Sequence, residues 1–377
     1  MPEHPVAEEI KPVQLSVQDL PALLAERWDS LSAHALVENP FFDRRHVLAA
    51  LETLDRGKPL RTLAFEIGDG ALAGLFFYQP RSKIPAPFPV ANSLGNEYVL
   101  CGTPLVHRDH AEPVIKAWLQ QIRAGAVPAT WTFADIDMDS ALVQLIRKEA
   151  EASGLGWNSV DTYERAFLTR LPGGFEEHLN QVLSKNRLKD VRRTMRRLGE
   201  VGAITLEHVE ETAQLEQRLE QFLALENAGW KGEMGTSFLA RADHAAFARA
   251  AYRPGLAAID SLLLDGKPIA MKLSIRNGDI AFTPKIAYDE SYKKLGPGMA
   301  LEYMLLEAFY AAEKPVAIDA AATVEGHSAL NFFNNQKQMA TLIVGRDGWQ
   351  VSLLARLYRL RQQLKIWVNT LRSRLRK

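Results

Sequence analysis

The chain has 377 residues, 47% of them hydrophobic, which exceeds the usual size of one domain and supplies core material for two lobes. Lys plus Arg and Asp plus Glu are both 45, so no global field recruits nucleic acid or an anionic membrane, and any such attraction must come from local patches. The lone Cys101 excludes a disulfide framework and a cysteine-based zinc site, no stretch approaches the roughly 18 apolar residues of a membrane span, and MPEHPVAEEIKP carries no leader pattern, so the chain reads as cytosolic.

Residues 1–12 are acidic and Pro-containing and read as a disordered tail. LPALLAERWDSLSAHA (20–35) has helical spacing, and NPFFDRRHVLAALETL (39–54) reads as a second helix entered through Asn39-Pro40. The period then changes: LRTLAFEI (60–67), a Gly-Asp-Gly turn and ALAGLFFY (71–78) predict a hairpin. A Pro-rich loop (80–89) leads to a strand at 96–101, a helix at 111–122, a strand at 130–136, a helix at 141–152 and a strand at 164–171. LPGG (171–174) marks the boundary between a first lobe (13–173) and a second (174–350).

The second lobe opens with a basic helix, HLNQVLSKNRLKDVRRTMRRLG, then a strand (203–209), a long helix (211–227), the loop GWKGEMGTSF (229–238) and a helix (241–252). AIDSLLL (258–264), IAMKLSI (269–275) and IAFTPKIAYD (280–289) predict an antiparallel meander, because Asp265-Gly266 and Asn277-Gly278 favour two-residue hairpin turns. SYKKLGPGMALEYMLLEAFY (291–310) follows, helical from 299, and then a strand (316–320), a helix (327–336) and a strand (340–346). A basic amphipathic helix occupies 351–377. Both lobes run hairpin, strand, helix, strand, helix, strand. The predicted class is α/β (α+β): tandem lobes, each a mixed, mostly antiparallel sheet flanked by helices, the N-terminal one degenerate.

A helix N-terminus offers backbone N–H groups without intrahelical partners and the positive end of the dipole. Gly296 and Gly298 allow close approach to the main chain, Pro297 restrains the loop, and Lys293 and Lys294 add charge, so a pyrophosphate fits there. A Gly-Pro loop that merely turns the chain fits the same residues.

The meander, the loop and the helix, with Lys293-Lys294-Leu295-Gly296-Pro297-Gly298 between them, resemble the GNAT acyltransferase superfamily. Its acyl-CoA signature is Arg or Gln, two residues, Gly, one residue, then Gly or Ala; here Lys stands in the first place. Ala329-Leu330-Asn331-Phe332-Phe333 resembles the superfamily's Ala, two residues, Leu-Tyr, with Phe333 where a Tyr commonly protonates the departing thiolate. NPFF, SKNRLKDVRRTMRRL, LENAGWKG and KIAYDESYKKLGPG together resemble two-lobed GNAT-like proteins associated with cellulose and exopolysaccharide biosynthesis, allied in fold to the FemAB peptidyltransferases.

The resemblance implies transfer from acetyl-CoA or another acyl-CoA, without a metal, to an amine of a small metabolite or amino sugar by direct attack on the thioester. It implies strands four and five splayed apart, with the backbone of Thr283, Lys285, Ile286 and Ala287 holding pantetheine and the thioester oxygen. Lys293, Lys294, Gly296, Gly298 and Met299 would then hold the pyrophosphate. Pro284 lacks an N–H and interrupts the ladder at this point, as an ordinary edge-strand proline also would. Asp319, His327, Asp289 and Glu226 are candidate bases and Tyr288 a further catalytic candidate; a loop-capping carboxylate or a surface histidine is the plainer account. Trp230, Lys231 and Glu226 are candidate acceptor-binding residues, against a packed Trp and a solvated Lys.

Lys185, Arg187, Lys189, Arg192, Arg193, Arg196 and Arg197 crowd one helix with Asp190 opposing, either a solvated face or an anion surface for a nucleotide, tRNA or acidic glycan. The C-terminal helix either lies on an anionic membrane at the inner face or packs back on the protein. Two other functions fit this pattern: a FemAB-like transferase using aminoacyl-tRNA, and a non-catalytic GNAT-shaped accessory of polysaccharide synthesis.

Overall fold

The computed structural model describes residues 9–16, 25–68, 70–80, 84–323 and 331–375. Its strands are β1 (Lys11–Ser16), β2 (Arg61–Ile67), β3 (Ala71–Gln79), β4 (Val90–Ser93), β5 (Leu105–Val106), β6 (Thr130–Asp137) and β7 (Gly156–Thr169). Then come β8 (Ile204–Val209), β9 (Ala257–Leu264), β10 (Lys267–Ile275), β11 (Ile280–Tyr288), β12 (Ala317–Thr323) and β13 (Asn335–Gly345). The longer helices are α1 (Ala25–Ala33), α2 (Arg44–Glu52), α3 (Ala111–Ala124), α4 (Ala141–Ala152), α5 (Gly174–Val182) and α6 (Lys185–Val201). They continue with α7 (Thr212–Ala228), α8 (Ala242–Ala251), α9 (Pro297–Ala311) and α10 (Gly348–Leu375). Two compact units result: Met1–Phe42, Lys58–Tyr163 and Gln338–Lys377 form the first, Asp43–Gly57 and Glu164–Lys337 the second.

In the first unit the strands run β1-β2-β3-β4-β6-β13, antiparallel except for the parallel pair β4 and β6. The hairpin of β2 and β3 needs its glycine: a Cβ on Gly74 would lie 2.7 Å from Val114 Cγ1, so α3 sits against bare backbone there. Val114, Ile115, Trp118, Leu119 and Ile122 recur at helical spacing and give α3 one buried face. Phe76 stacks on Trp118 at 5.4 Å and meets Phe65, Trp131 and Phe133 edge-on, an aromatic cluster closed to solvent.

The second unit has strand order β7-β12-β11-β10-β9-β8. Strands β8 to β11 are antiparallel neighbours, β11 and β12 are parallel, and β12 returns antiparallel to β7. Helix α9 lies over the meander, its Ala300 and Leu301 packing with Leu262, Leu264, Ile269 and Ala270. Helix α7 packs on β11 as well.

Several elements differ from the sequence-based expectation. Residues 96–101 form no strand: Asn96 Oδ1 accepts from the Tyr98 N–H at 2.9 Å, a local turn that competes with extended pairing, and β4 supplies the strand instead. The expected single basic helix breaks at Ser184, whose hydroxyl caps the Arg187 N–H at 3.3 Å and starts α6 afresh. The expected loop at 229–238 contains a helical turn, Trp230–Glu233. Of the expected helix 327–336, residues 327–330 lie outside the described residues, and Asn335 already belongs to β13. Among the described residues, no helix is long and apolar enough to cross a membrane.

Phe76 is the hub of the first unit's core, so Phe76→Ala should cost about 3–5 kcal/mol, read as a lower denaturant midpoint at unchanged slope.

Candidate functional site

Strand β11 pairs with β12 through Ile280↔Ala317, Ala281↔Ile318 and Phe282↔Asp319, and there the pairing stops. The cause lies in β12. Asp319 Oδ1 accepts from the Ala321 N–H at 2.8 Å, and Ala321 takes a left-handed φ of 52°, so the strand bends as β11 runs on. On its other side β11 stays paired with β10 as far as Tyr288. The Asp289 N–H donates to Ile269 O at 2.8 Å. By the alternation of an antiparallel ladder, the backbone groups of Lys285 and Ala287 face β10, and those of Pro284, Ile286 and Tyr288 face the open side. Pro284 brings no N–H to that side, so it cannot extend a ladder.

Asp319 is 1% exposed, and its carboxylate also receives Lys337 Nζ at 3.2 Å and Arg165 Nη1 at 3.8 Å. Lys337 rests on the Phe167 ring, 4.0 Å from its centroid. Both oxygens of this candidate base are therefore engaged, one by a main-chain amide and the other by an ammonium.

Beside the open edge, Glu226, Trp230, Lys231, Ile286, Ala287 and Tyr288 line one cleft, which brings the three acceptor-site candidates together with the strand. The Glu226 side chain is closed to solvent at the end of α7. It accepts from Lys285 Nζ at 2.8 Å and from the Phe238 N–H at 2.9 Å, with Lys231 Nζ at 3.6 Å. Lys231 Nζ in turn donates to Ile286 O at 2.7 Å, on the open side of β11. Burial pushes the Lys231 pKa below the ordinary lysine value, and the Lys285 ammonium pushes the same way against the pull of Glu226. Trp230, half exposed, forms part of the cleft wall. Burial raises the Tyr288 phenol, and the Glu290 carboxylate adds to the effect.

Asp289 does something else. Its carboxylate accepts from the Ser291 hydroxyl and amide, which lowers its pKa, and so caps the short helical turn over Glu290–Leu295. That turn ends on Gly296, left-handed at φ 64°, and α9 begins at Pro297. Gly296 O accepts from both Met299 and Ala300 at 3.1 Å, and Gly296 N donates to Lys293 O. Among the described residues the Gly298 N–H has no such acceptor. A Cβ on Gly298 would meet Tyr288 Cδ1 at 3.7 Å and Ile286 Cδ1 at 4.0 Å, which sets this amide above the open strand. Lys293 and Lys294 are exposed on the approach, Lys293 paired with Glu290 at 3.2 Å. Thr283 reaches Asp319 O with its hydroxyl at 3.4 Å, where the strands part.

His327 lies outside the described residues. Among the described residues no group of three or more His, Cys, Asp or Glu is placed to hold a metal ion. Sequence reasoning missed Arg165, Lys337, Phe238 and the pair of Lys272 with Glu302, which is buried at 2.7 Å beneath α9. The signal was a charge inside a strand pattern, as in IAMKLSI, where a lysine on a buried face must find a partner.

Residues 185–320 match the acetyltransferase (GNAT) domain family, and this stretch lies within the second unit. Residues 185–320 thus form a GNAT-type domain within a chain of two compact α/β units. Solved structures that share its fold include FemX and a conserved protein of unknown function from Bacteroides thetaiotaomicron. FemX is 12% identical with a TM-score of 0.58, over 91% of this chain and 99% of that one. The Bacteroides protein is 10% identical with a TM-score of 0.52, over 86% of this chain and 97% of that one. No curated protein matches the sequence.

Two stability measurements test this geometry. Lys272→Met alone should cost about 3–5 kcal/mol by stranding Glu302, and the double variant with Glu302→Leu should recover most of the loss in chemical denaturation. Lys231 carries its proton at a cost in the folded state, so the folded protein releases it before the unfolded chain does. As pH rises from the lowered folded pKa toward the ordinary lysine value, the wild type should gain stability relative to Lys231→Met, read from paired melting curves.

Proposed function

We propose that the protein is an acyl-CoA-dependent N-acyltransferase that passes an acyl group from the thioester to the amine of a small metabolite or amino sugar. The observation that carries this reading is the parting of β11 from β12 after Phe282, which turns the Ile286 N–H to an open side beside the Gly298 amide. The residues fit the donor. Gly298 N–H and the N-terminus of α9 would take the diphosphate, with Lys293 and Lys294 adding positive charge at low desolvation cost. Thr283, Ile286 and the edge they share would hold the pantetheine arm, and Gly296 and Met299 shape the turn that presents Gly298.

In this reading the amine enters the cleft walled by Trp230 and attacks the thioester carbon, the C–S bond breaks, and the thiolate leaves with a proton. Glu226 and Asp319 are each held by cations and a main-chain amide, which suits positioning better than proton removal. Lys231, with its lowered pKa and its place at Ile286 O, is the group disposed to accept the proton of the incoming ammonium. Tyr288 lines the same cleft and is the phenol available to return a proton to sulfur, since Phe333 has none to give.

Millimolar CoA and acetyl-CoA should each raise the melting temperature, and Gly298→Ala should reduce that shift while leaving the unliganded midpoint little changed, because the added Cβ meets only ordinary contacts. No shift with either ligand would end this reading.

A second reading, transfer from aminoacyl-tRNA, draws on α6, where seven Lys and Arg face Asp190 and Glu200 alone among its acidic residues. It requires tRNA binding that weakens steeply with salt and is lost when Arg192, Arg193, Arg196 and Arg197 are changed to Gln.

A further inference from the structure

Helix α10 changes character partway along. Its first turns bury Val351, Leu354, Ala355 and Tyr358 against Ile84, Val90, Val160 and Ile343 of the first unit. From Arg359 to Val368 every side chain that is described is exposed. Within that stretch Leu360, Leu364, Trp367 and Val368 are 52%, 53%, 62% and 37% exposed. Their spacing of four, three and one residues places them on a single stripe of the helix. Large apolar side chains aligned on one face, rather than scattered singly, mark a surface that another phase or partner covers.

The charge around the stripe selects the partner. Residues 348–377 hold eight Lys and Arg and no Asp or Glu, with Arg361 and Lys365 along one flank and Arg356 and Arg359 along the other. Two copies of such a helix packed face to face would bring like charges together with no acidic complement. An anionic lipid surface supplies the missing negative charge and an acyl layer for the stripe, and a tryptophan favours the headgroup boundary between them.

We propose that α10 seats the protein on an anionic bilayer, its distal half lying along the surface with Leu360, Leu364, Trp367 and Val368 turned into the acyl boundary and its cations among the headgroups. The proximal turns stay packed in the first unit and hold the protein to the surface without a spanning segment. This binding is independent of the reaction catalysed at β11.

Co-sedimentation of the full chain with vesicles of phosphatidylcholine, alone or mixed with phosphatidylglycerol, tests it. The expected result is binding to the mixed vesicles that weakens with salt. The triple variant Leu360→Ser, Leu364→Ser, Trp367→Ser should lose at least about a hundredfold in partitioning, since each side chain forfeits its own burial in the acyl boundary. A second variant, Arg359→Gln, Arg361→Gln, Lys365→Gln, should lose the preference for phosphatidylglycerol. All six positions are exposed, so unchanged circular dichroism is expected for both, with melting moved only slightly in the second variant, where Arg359 gives up its bond to Asn158 Oδ1. Equal binding to both vesicle types, binding to neither, or a triple variant that sediments like the wild type would overturn the proposal. A concentration-dependent dimer that the triple variant abolishes would overturn it too, by giving the stripe to a second copy of the chain.

Discussion

The second unit depends on one local bond, from the Ala321 amide to the carboxylate of Asp319. It costs a left-handed residue in mid-strand, and Lys337 and Arg165 hold the carboxylate that accepts it. Because β12 bends there, β11 continues without a neighbour on one side. The Ile286 carbonyl, the Lys231 ammonium that binds it and the Gly298 amide above are all consequences of that departure. A β12 that ran straight would close the ladder and leave a plain mixed sheet.

The polar groups of this unit divide into two kinds. Lys272 with Glu302 is buried and mutually satisfied, and Asp319 is buried against Lys337 and Arg165, which fixes register and orientation at the expense of desolvation. The cluster of Glu226, Lys231 and Lys285 differs, since it lines an open cleft and burial there, with the Lys285 ammonium beside it, lowers the Lys231 pKa. Surplus positive charge at the wall of a cleft is a chemical resource. It favours an anionic group on whatever enters, and it eases the loss of one lysine proton.

Much of this was legible in the sequence, and for identifiable reasons. The meander followed from Asp265-Gly266 and Asn277-Gly278, and the start of α9 from glycines on either side of Pro297. The association of Glu226, Trp230 and Lys231 with the strand came from resemblance alone, because no periodicity links residues nearly sixty positions apart. What stayed hidden depended on side-chain bonds between distant segments. Asp319 reads in sequence as a strand-end acid, and only the arrival of Lys337 and Arg165 makes it a buried anchor. The turn at Asn96 and the cap at Ser184 were missed because a short polar side chain outbid the regular pattern around it.

An unpaired strand edge is also an invitation to other chains, which can add a strand of their own and begin to aggregate. Pro284 removes one of the donors that such an intruder would need, and Lys231 blocks the Ile286 carbonyl with a charge. The open edge is thus a poor template for a further strand at the same positions where it departs from β12.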